Sequence, residues 1–187
     1  PWNASILPVA TLLASGQVFL DGEPNVAQRF DPVGGTWTTL PVGTLEVEEM
    51  ATVLFGDGRV LELAGARATL YDPLLNQWTP SSAGLGDVGR AFTATRLASG
   101  QVLVAGGTGT GVATRATRVF DPETRAVVDP GVPLLSAPRA GHTASLLPDG
   151  QVLLWGGVEP QAASNRPAAE LFDPASRTLT ALPSITT

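Results

Sequence analysis

The chain has 187 residues, with 17 acidic and 11 basic side chains for a net charge of −6, and no basic patch that would suit nucleic acid or an anionic membrane. Hydrophobic residues make up 43% and charged residues 15%, which excludes a disordered chain, and the absence of Cys excludes disulfides, thiolate metal sites and thiol nucleophiles. No apolar run reaches the roughly 18 residues of a membrane-spanning helix. With Pro1 in place of an initiator Met, the chain is expected to be a processed or excised piece of something longer.

Short apolar runs bounded by turn residues predict strands throughout, with no helical periodicity anywhere. The first run, Val9–Ala14, is followed by Ser15-Gly16 and then by Val18–Leu20, which stops near Gly22. A Gly at that place supplies the positive φ of a tight hairpin, so a two-residue turn is expected. A third run, Ala27–Phe30, ends at Asp31-Pro32, where Asp caps a turn and Pro cannot continue a ladder. A fourth run holds Trp37, six residues after that Asp.

The same order returns three times. First strands are expected at Ala51–Phe55, Phe92–Leu97 and Thr143–Leu147, with turns at Asp57-Gly58, Ser99-Gly100 and Asp149-Gly150. Second strands follow at Val60–Leu63, Val102–Ala105 and Val152–Trp155, closing on Ala64-Gly65, Gly106-Gly107 and Gly156-Gly157. Third strands, Ala68–Tyr71, Thr117–Phe120 and Ala169–Phe172, each run into Asp-Pro, and Trp78, Val127 and Leu179 mark the fourth. The turn glycines are spaced 42, 42 and 50 residues apart and the aromatic-Asp-Pro signatures 41, 49 and 52, so two independent landmarks define four units in phase. Length varies mainly between the Gly pair and the aromatic, as loops vary over a fixed scaffold.

Four short strands per unit at a period of 40–50 residues read as an all-β fold, a β-propeller of four-stranded blades. The Gly pairs, the aromatic-Asp-Pro and the fourth-strand Trp resemble the kelch repeat family, specifically bacterial kelch-like propellers. The resemblance covers nearly the whole chain, as one domain over 1–187 with repeats at about 5–41, 47–80, 90–130 and 139–183. The last two units keep the Gly pair and lose the Trp; the first two do the reverse. Family propellers mostly have five to seven blades, so three arrangements stay open: a closed four-bladed ring, a segment of a larger propeller, or halves that associate through open edges.

The resemblance implies that first strands line a central channel, with Arg90, Arg139 and His142 near one mouth. Arg90 and Arg139 would suit a carboxylate or other anionic ligand there; the alternative is an Arg pairing with backbone or with an Asp. His142 is the sole His, so no zinc site can be completed, and a hydrogen-bonded structural ring is the simpler reading. Asp31, Asp72, Asp121 and Asp173 recur in phase, which invites a repeated calcium site, but turn capping accounts for them. Glu46, Glu48 and Glu49 read as a solvated loop. Trp37 and Trp78 are expected to pack between neighbouring units and Trp155 to be buried; Trp2 lies outside the repeat. Thr108–Arg115 is Gly-rich but opens no helix, which weakens a phosphate-cradle reading. That loop and 158–167 in the last unit offer the best binding surface, with Thr108, Arg115, Glu159 and Arg166 as candidates.

No convergent acid–base or nucleophile set appears. The expected function is a non-catalytic binding module facing a protein or glycan, with no cofactor, no nucleic acid, no membrane insertion and scope for homo-oligomers through open edges. The alternative is the propeller part of a larger secreted enzyme whose catalytic residues lie elsewhere. Copper oxidases of the galactose-oxidase type carry kelch-type propellers, but one His, one Tyr and no Cys cannot supply their ligands within this chain. The resemblance alone suggests an extracellular or cell-surface location.

Overall fold

A computed structural model describes residues 9–23, 26–41, 51–81, 84–86, 88–109, 111–128, 132–158 and 169–183. Every regular element among them is a β-strand, and four sheets each hold four antiparallel strands. The first sheet runs β1 (Val9–Leu12), β2 (Val18–Glu23), β3 (Val26–Asp31), β4 (Thr36–Thr39), and the second β5 (Ala51–Leu54), β6 (Val60–Ala64), β7 (Arg67–Asp72), β8 (Gln77–Pro80). The third sheet orders β9 (Thr93–Arg96), β10 (Val102–Ala105), β13 (Thr117–Asp121), β14 (Ala126–Val128), with a separate hairpin of β11 (Thr108–Gly109) and β12 (Val112–Ala113) between β10 and β13. The fourth runs β15 (Thr143–Leu146), β16 (Val152–Trp155), β17 (Glu170–Asp173), β18 (Thr178–Ala181). The chain divides into two compact units, Pro1–Gly84 with the first and second sheets and Leu85–Thr187 with the third and fourth.

The hairpin between the first two strands of each sheet is one residue longer than expected. Gly16 N–H donates to the Leu13 carbonyl (3.0 Å) and Leu13 N–H to the Gln17 carbonyl (2.8 Å), which closes a three-residue loop over 14–16. Phe55/Gly58, Leu97/Gly100 and Leu147/Gly150 repeat the pair of bonds. The left-handed Gly (φ 83° to 91° in the four copies) follows a right-handed turn and makes a bulge, a pairing that matches strand twist without a primed two-residue turn. In the copies at 57 and 149 the Asp carboxylate accepts the N–H two residues on, both at 3.0 Å.

The Asp-Pro expectation is met four times. Oδ1 of Asp31, Asp72, Asp121 and Asp173 each accepts two N–H groups, two and three residues ahead, at 2.8–3.3 Å. The N–H groups of Gly34 and Val33 hold the Asp31 carboxyl below its usual range; for Asp173 the Ser176 hydroxyl does so first, then the N–H groups of Ala175 and Ser176. The last loop residue is left-handed in every copy: Gly35, Asn76, Arg125 and Arg177.

Within the first unit, the first sheet packs on the second. Leu13, Phe19, Ala27 and Leu40 meet Val60 and Tyr71, with Leu54 and Trp78 at the margin. Phe19 lies 5.6 Å from the Tyr71 ring and 5.9 Å from Trp78, and the Trp78 indole N–H donates to the Pro41 carbonyl (2.8 Å). Within the second unit, Leu97, Leu103, Ala105 and Val119 of the third sheet meet Val152, Leu154 and Phe172 of the fourth. Trp78 thus packs between sheets as expected. Trp37 does not: it is 57% exposed, and its ring partner is Phe30 on the neighbouring strand (4.8 Å). Trp155, expected in the core, is 55% exposed, because period-two alternation along β16 turns Val152 and Leu154 inward and Trp155 to the opposite face.

Candidate functional site

The residues before β15 form a buried polar cluster in the second unit. Arg139 is fully buried, and its Nη2 donates to Glu170 Oε2 at 2.6 Å on β17. Glu170 Oε1 accepts the Ser136 N–H (2.8 Å), and Arg139 Nη1 reaches the Gly156 carbonyl (3.4 Å). The main chain of Arg139 joins the neighbouring loop: its N–H donates to the Thr114 carbonyl and its carbonyl accepts the Gly107 N–H. Arg139 is therefore a structural cation, balanced by a carboxylate rather than offered to a ligand.

His142 stands in the same cluster, buried, with Nε2 at 2.9 Å from Thr93 Oγ1 and no partner for Nδ1 among the described residues. Burial, then the Arg139 charge, push its pKa down to about 4, so the ring is neutral at physiological pH. The Gly pairs explain how the ring fits. A Cβ on Gly106 would stand 2.4 Å from the Arg139 carbonyl oxygen and 2.7 Å from His142 Cε1, and one on Gly157 would stand 2.9 Å from His142 Cβ. Gly106 and Gly157 are small because Arg139 and His142 occupy the space beside them.

Arg90 is separated from Arg139 in character: it is exposed and lies on the Thr108 side of the third sheet. Thr108 N–H donates to the Arg90 carbonyl (2.7 Å), and the Thr108 hydroxyl lies 3.3 Å from the Arg90 N–H and carbonyl. Arg115 is also exposed, with Nε donating to the Leu135 carbonyl (2.5 Å), which pins the guanidinium stem against 132–136. Between them the β11–β12 hairpin presents an exposed Val112. Arg90 is thus joined to Thr108 through its main chain, and Arg115 follows the same hairpin two residues after β12. Glu159 and Arg166 lie outside the described residues, as do Trp2, Glu46, Glu48 and Glu49.

A second buried polar cluster lies in the first unit. Glu62, buried on β6, hydrogen-bonds with Asp21, buried on β2, where the first sheet packs on the second. Burial, then the Asp21 hydrogen bond and charge, push Glu62 up to about 10, so it holds a proton at neutral pH. Thr11 and Thr52 share a 2.7 Å hydrogen bond between the same two sheets. The sequence carries a signal for this pair: Glu62 is a lone charge inside the apolar run Val60-Leu61-Glu62-Leu63-Ala64.

No protein-family model matches the chain, and no curated protein matches it. The fold is similar to a solved structure of a fungal alcohol oxidase of the AA5 family in complex with copper, with a TM-score of 0.54 and 17% identity. The match covers 96% of this chain and 53% of the oxidase chain, so this chain spans about half of that protein's length. At that identity the likeness concerns the fold alone. The residues present do not fit a copper site of imidazole and phenolate donors: the single His has Nε2 engaged by Thr93, and the single Tyr, Tyr71, has its hydroxyl bonded to Asn76 Oδ1 at 2.8 Å.

Proposed function

We propose that the four sheets are blades of a kelch-like β-propeller or of a segment of one, and that the chain is a non-catalytic module binding a protein or glycan through its loops. One observation carries this reading. The connection between the second and third strands lengthens from two residues (24–25 and 65–66) to eleven (106–116) and fourteen (156–169), while Val18, Val60, Val102 and Val152 keep equivalent partners in Phe30, Tyr71, Phe120 and Phe172. A scaffold that holds still while one class of loop grows is how binding surfaces are built on rigid sheets. The buried polar groups fit the same reading, because Arg139 pairs with Glu170 in one unit and Glu62 with Asp21 in the other.

The test compares the intact chain with Val112→Glu, a change on the exposed β11–β12 hairpin that leaves the main-chain bonds of Gly107, Thr114 and Arg139 in place. Both are screened on a glycan array and a displayed peptide library. The reading expects a defined glycan or peptide that binds the intact chain and loses at least tenfold in affinity on the variant, with unchanged circular dichroism. Absence of any binder, or binding indifferent to the hairpin, overturns it.

A further inference from the structure

Period-two alternation gives each sheet two faces, and equivalent positions can be followed through all four. One face holds Val60, Tyr71 and Trp78 in the second sheet, and Val152, Phe172 and Leu179 in the fourth. The other holds Leu13 and Phe19 in the first sheet, and Leu97 and Leu103 in the third. The chain joins these two kinds of face twice, first sheet on second and third on fourth, and burial there is nearly complete: Phe19, Val60, Tyr71 and Val152 are 0% exposed, Leu103 and Phe172 1%.

Among the described residues, the face of the first kind on the first sheet and the face of the second kind on the fourth sheet carry exposed apolar side chains. On the first sheet, the positions equivalent to Val60, Tyr71 and Trp78 are Val18, Phe30 and Trp37. Val18 and Phe30 are only half-buried, Trp37 is more than half exposed, and Leu12 beside them is 65% exposed. On the fourth sheet, the positions equivalent to Leu13 and Phe19 are Leu147 and Leu153, both half-buried, with Leu171 half-buried and Trp155 more than half exposed on the same face. Neither patch carries a charge at its centre: Gln28 and Thr39 flank the first, and Thr143, Ser145 and Thr180 the second. Contiguous apolar faces of this kind mark interaction surfaces, and no ion need be stripped of water to close them.

We propose that the Val18–Phe30–Trp37 face of the first sheet takes up the Leu147–Leu153–Trp155 face of the fourth sheet of a second copy of this chain. The chain shows what covers each face, since it builds the same joint twice from equivalent residues, and one copy carries both halves. The contact is head-to-tail, so it closes into a ring or runs on as an open series.

The test is native mass by light scattering across a dilution series for the intact chain, Trp37→Glu and Trp155→Glu, each checked for native circular dichroism. Both tryptophans are more than half exposed, and Trp37→Ser and Trp155→Ser stand in if a Glu variant misfolds. The intact chain is expected to associate to two or more chain masses, and each variant alone to run at one. An equimolar mixture of the two variants is expected to recover two chain masses, because the first supplies an intact fourth-sheet face and the second an intact first-sheet face. An intact chain that is monomeric at every concentration overturns the proposal, as does association that survives either substitution, or a mixture that stays at one chain mass. None of these outcomes depends on whether the loops bind a ligand.

Discussion

Glu62 and Asp21 place two carboxyl groups in hydrogen-bonding contact between the first and second sheets, with Glu62 protonated at neutral pH. A carboxyl whose pKa rises from 4.5 to about 10 on folding holds its proton more tightly in the folded state. Its stabilising contribution is complete below about 4.5 and is lost as the pH climbs toward 10. Glu62→Gln keeps a donor for Asp21 and has no proton to lose. The variant is expected to be more stable than the parent by about 2 kcal/mol or more at pH 9, with little difference near pH 4.5. Thermal melts across that range check it, and a parallel pH dependence in both proteins would refute the pairing.

His142 gives the opposite slope in the other compact unit. Its pKa falls from 6.5 to about 4 on folding, so the unfolded chain takes up the proton first. Stability is lost as the pH drops from 6.5 toward 4 and levels off below. His142→Phe retains a ring beside Gly106, loses the Thr93 bond at a cost of about 1 kcal/mol at about pH 7.5, and removes the acid slope. The gap between variant and parent is expected to narrow or reverse at about pH 4.5, read by chemical denaturation at the two pH values.

Arg139 and Glu170 test the cost of breaking a buried ion pair. Glu170→Gln removes the carboxylate that Arg139 Nη2 donates to and is expected to destabilise the chain by about 3–5 kcal/mol. Adding Arg139→Met removes the other half of the pair, while the amide oxygen introduced by Glu170→Gln can still accept the Ser136 N–H. The double variant is expected to recover most of the loss, measured by urea denaturation. Additive losses would show that the two side chains act separately.

The Gly pairs look alike in sequence and differ in structure. Gly156→Ala meets no atom within 4 Å and bears only the left-handed backbone (φ 74°), about 1–2 kcal/mol. Gly106→Ala has a similar φ of 64° but drives a methyl into the Arg139 carbonyl and the His142 ring. Its loss is expected to reach about 3 kcal/mol or more. Equal losses in the two variants would sink the account of why Gly106 is small.

The four-sheet pattern is legible in the sequence because its signals are local. The turn glycine, the Asp-Pro and the alternation of short apolar runs each act within a few residues, and the observed strands fall within one or two residues of the expected ones except β2, which runs three residues past Leu20. The error at the hairpins has the same origin: Gly at the end of a three-residue bulged loop and Gly inside a two-residue turn leave the same trace. Burial of side chains is less legible. Trp37 and Trp78 occupy equivalent positions, yet whether each is covered depends on a neighbouring sheet that no local pattern encodes. Arg139 stands out in the sequence as a candidate, and the alternative of a structural Arg is the closer description; its partner, however, is Glu170, in a strand thirty-one residues away. The Asp21–Glu62 contact joins two different sheets and escapes a local reading, although a lone Glu in an apolar run marks one half of it.

The Asp-Pro loops have a practical consequence. Each is fixed at its start by a carboxylate accepting two N–H groups and at its end by a left-handed residue, so the side chains of Val33 and Leu74 in between carry little structural duty. Val33 is 96% and Leu74 89% exposed, so neither contributes to a core. Both positions therefore tolerate replacement at constant geometry. A fluorophore or short epitope grafted at either would act as an address tag for its own sheet, reporting which of the two opens first without entering any core.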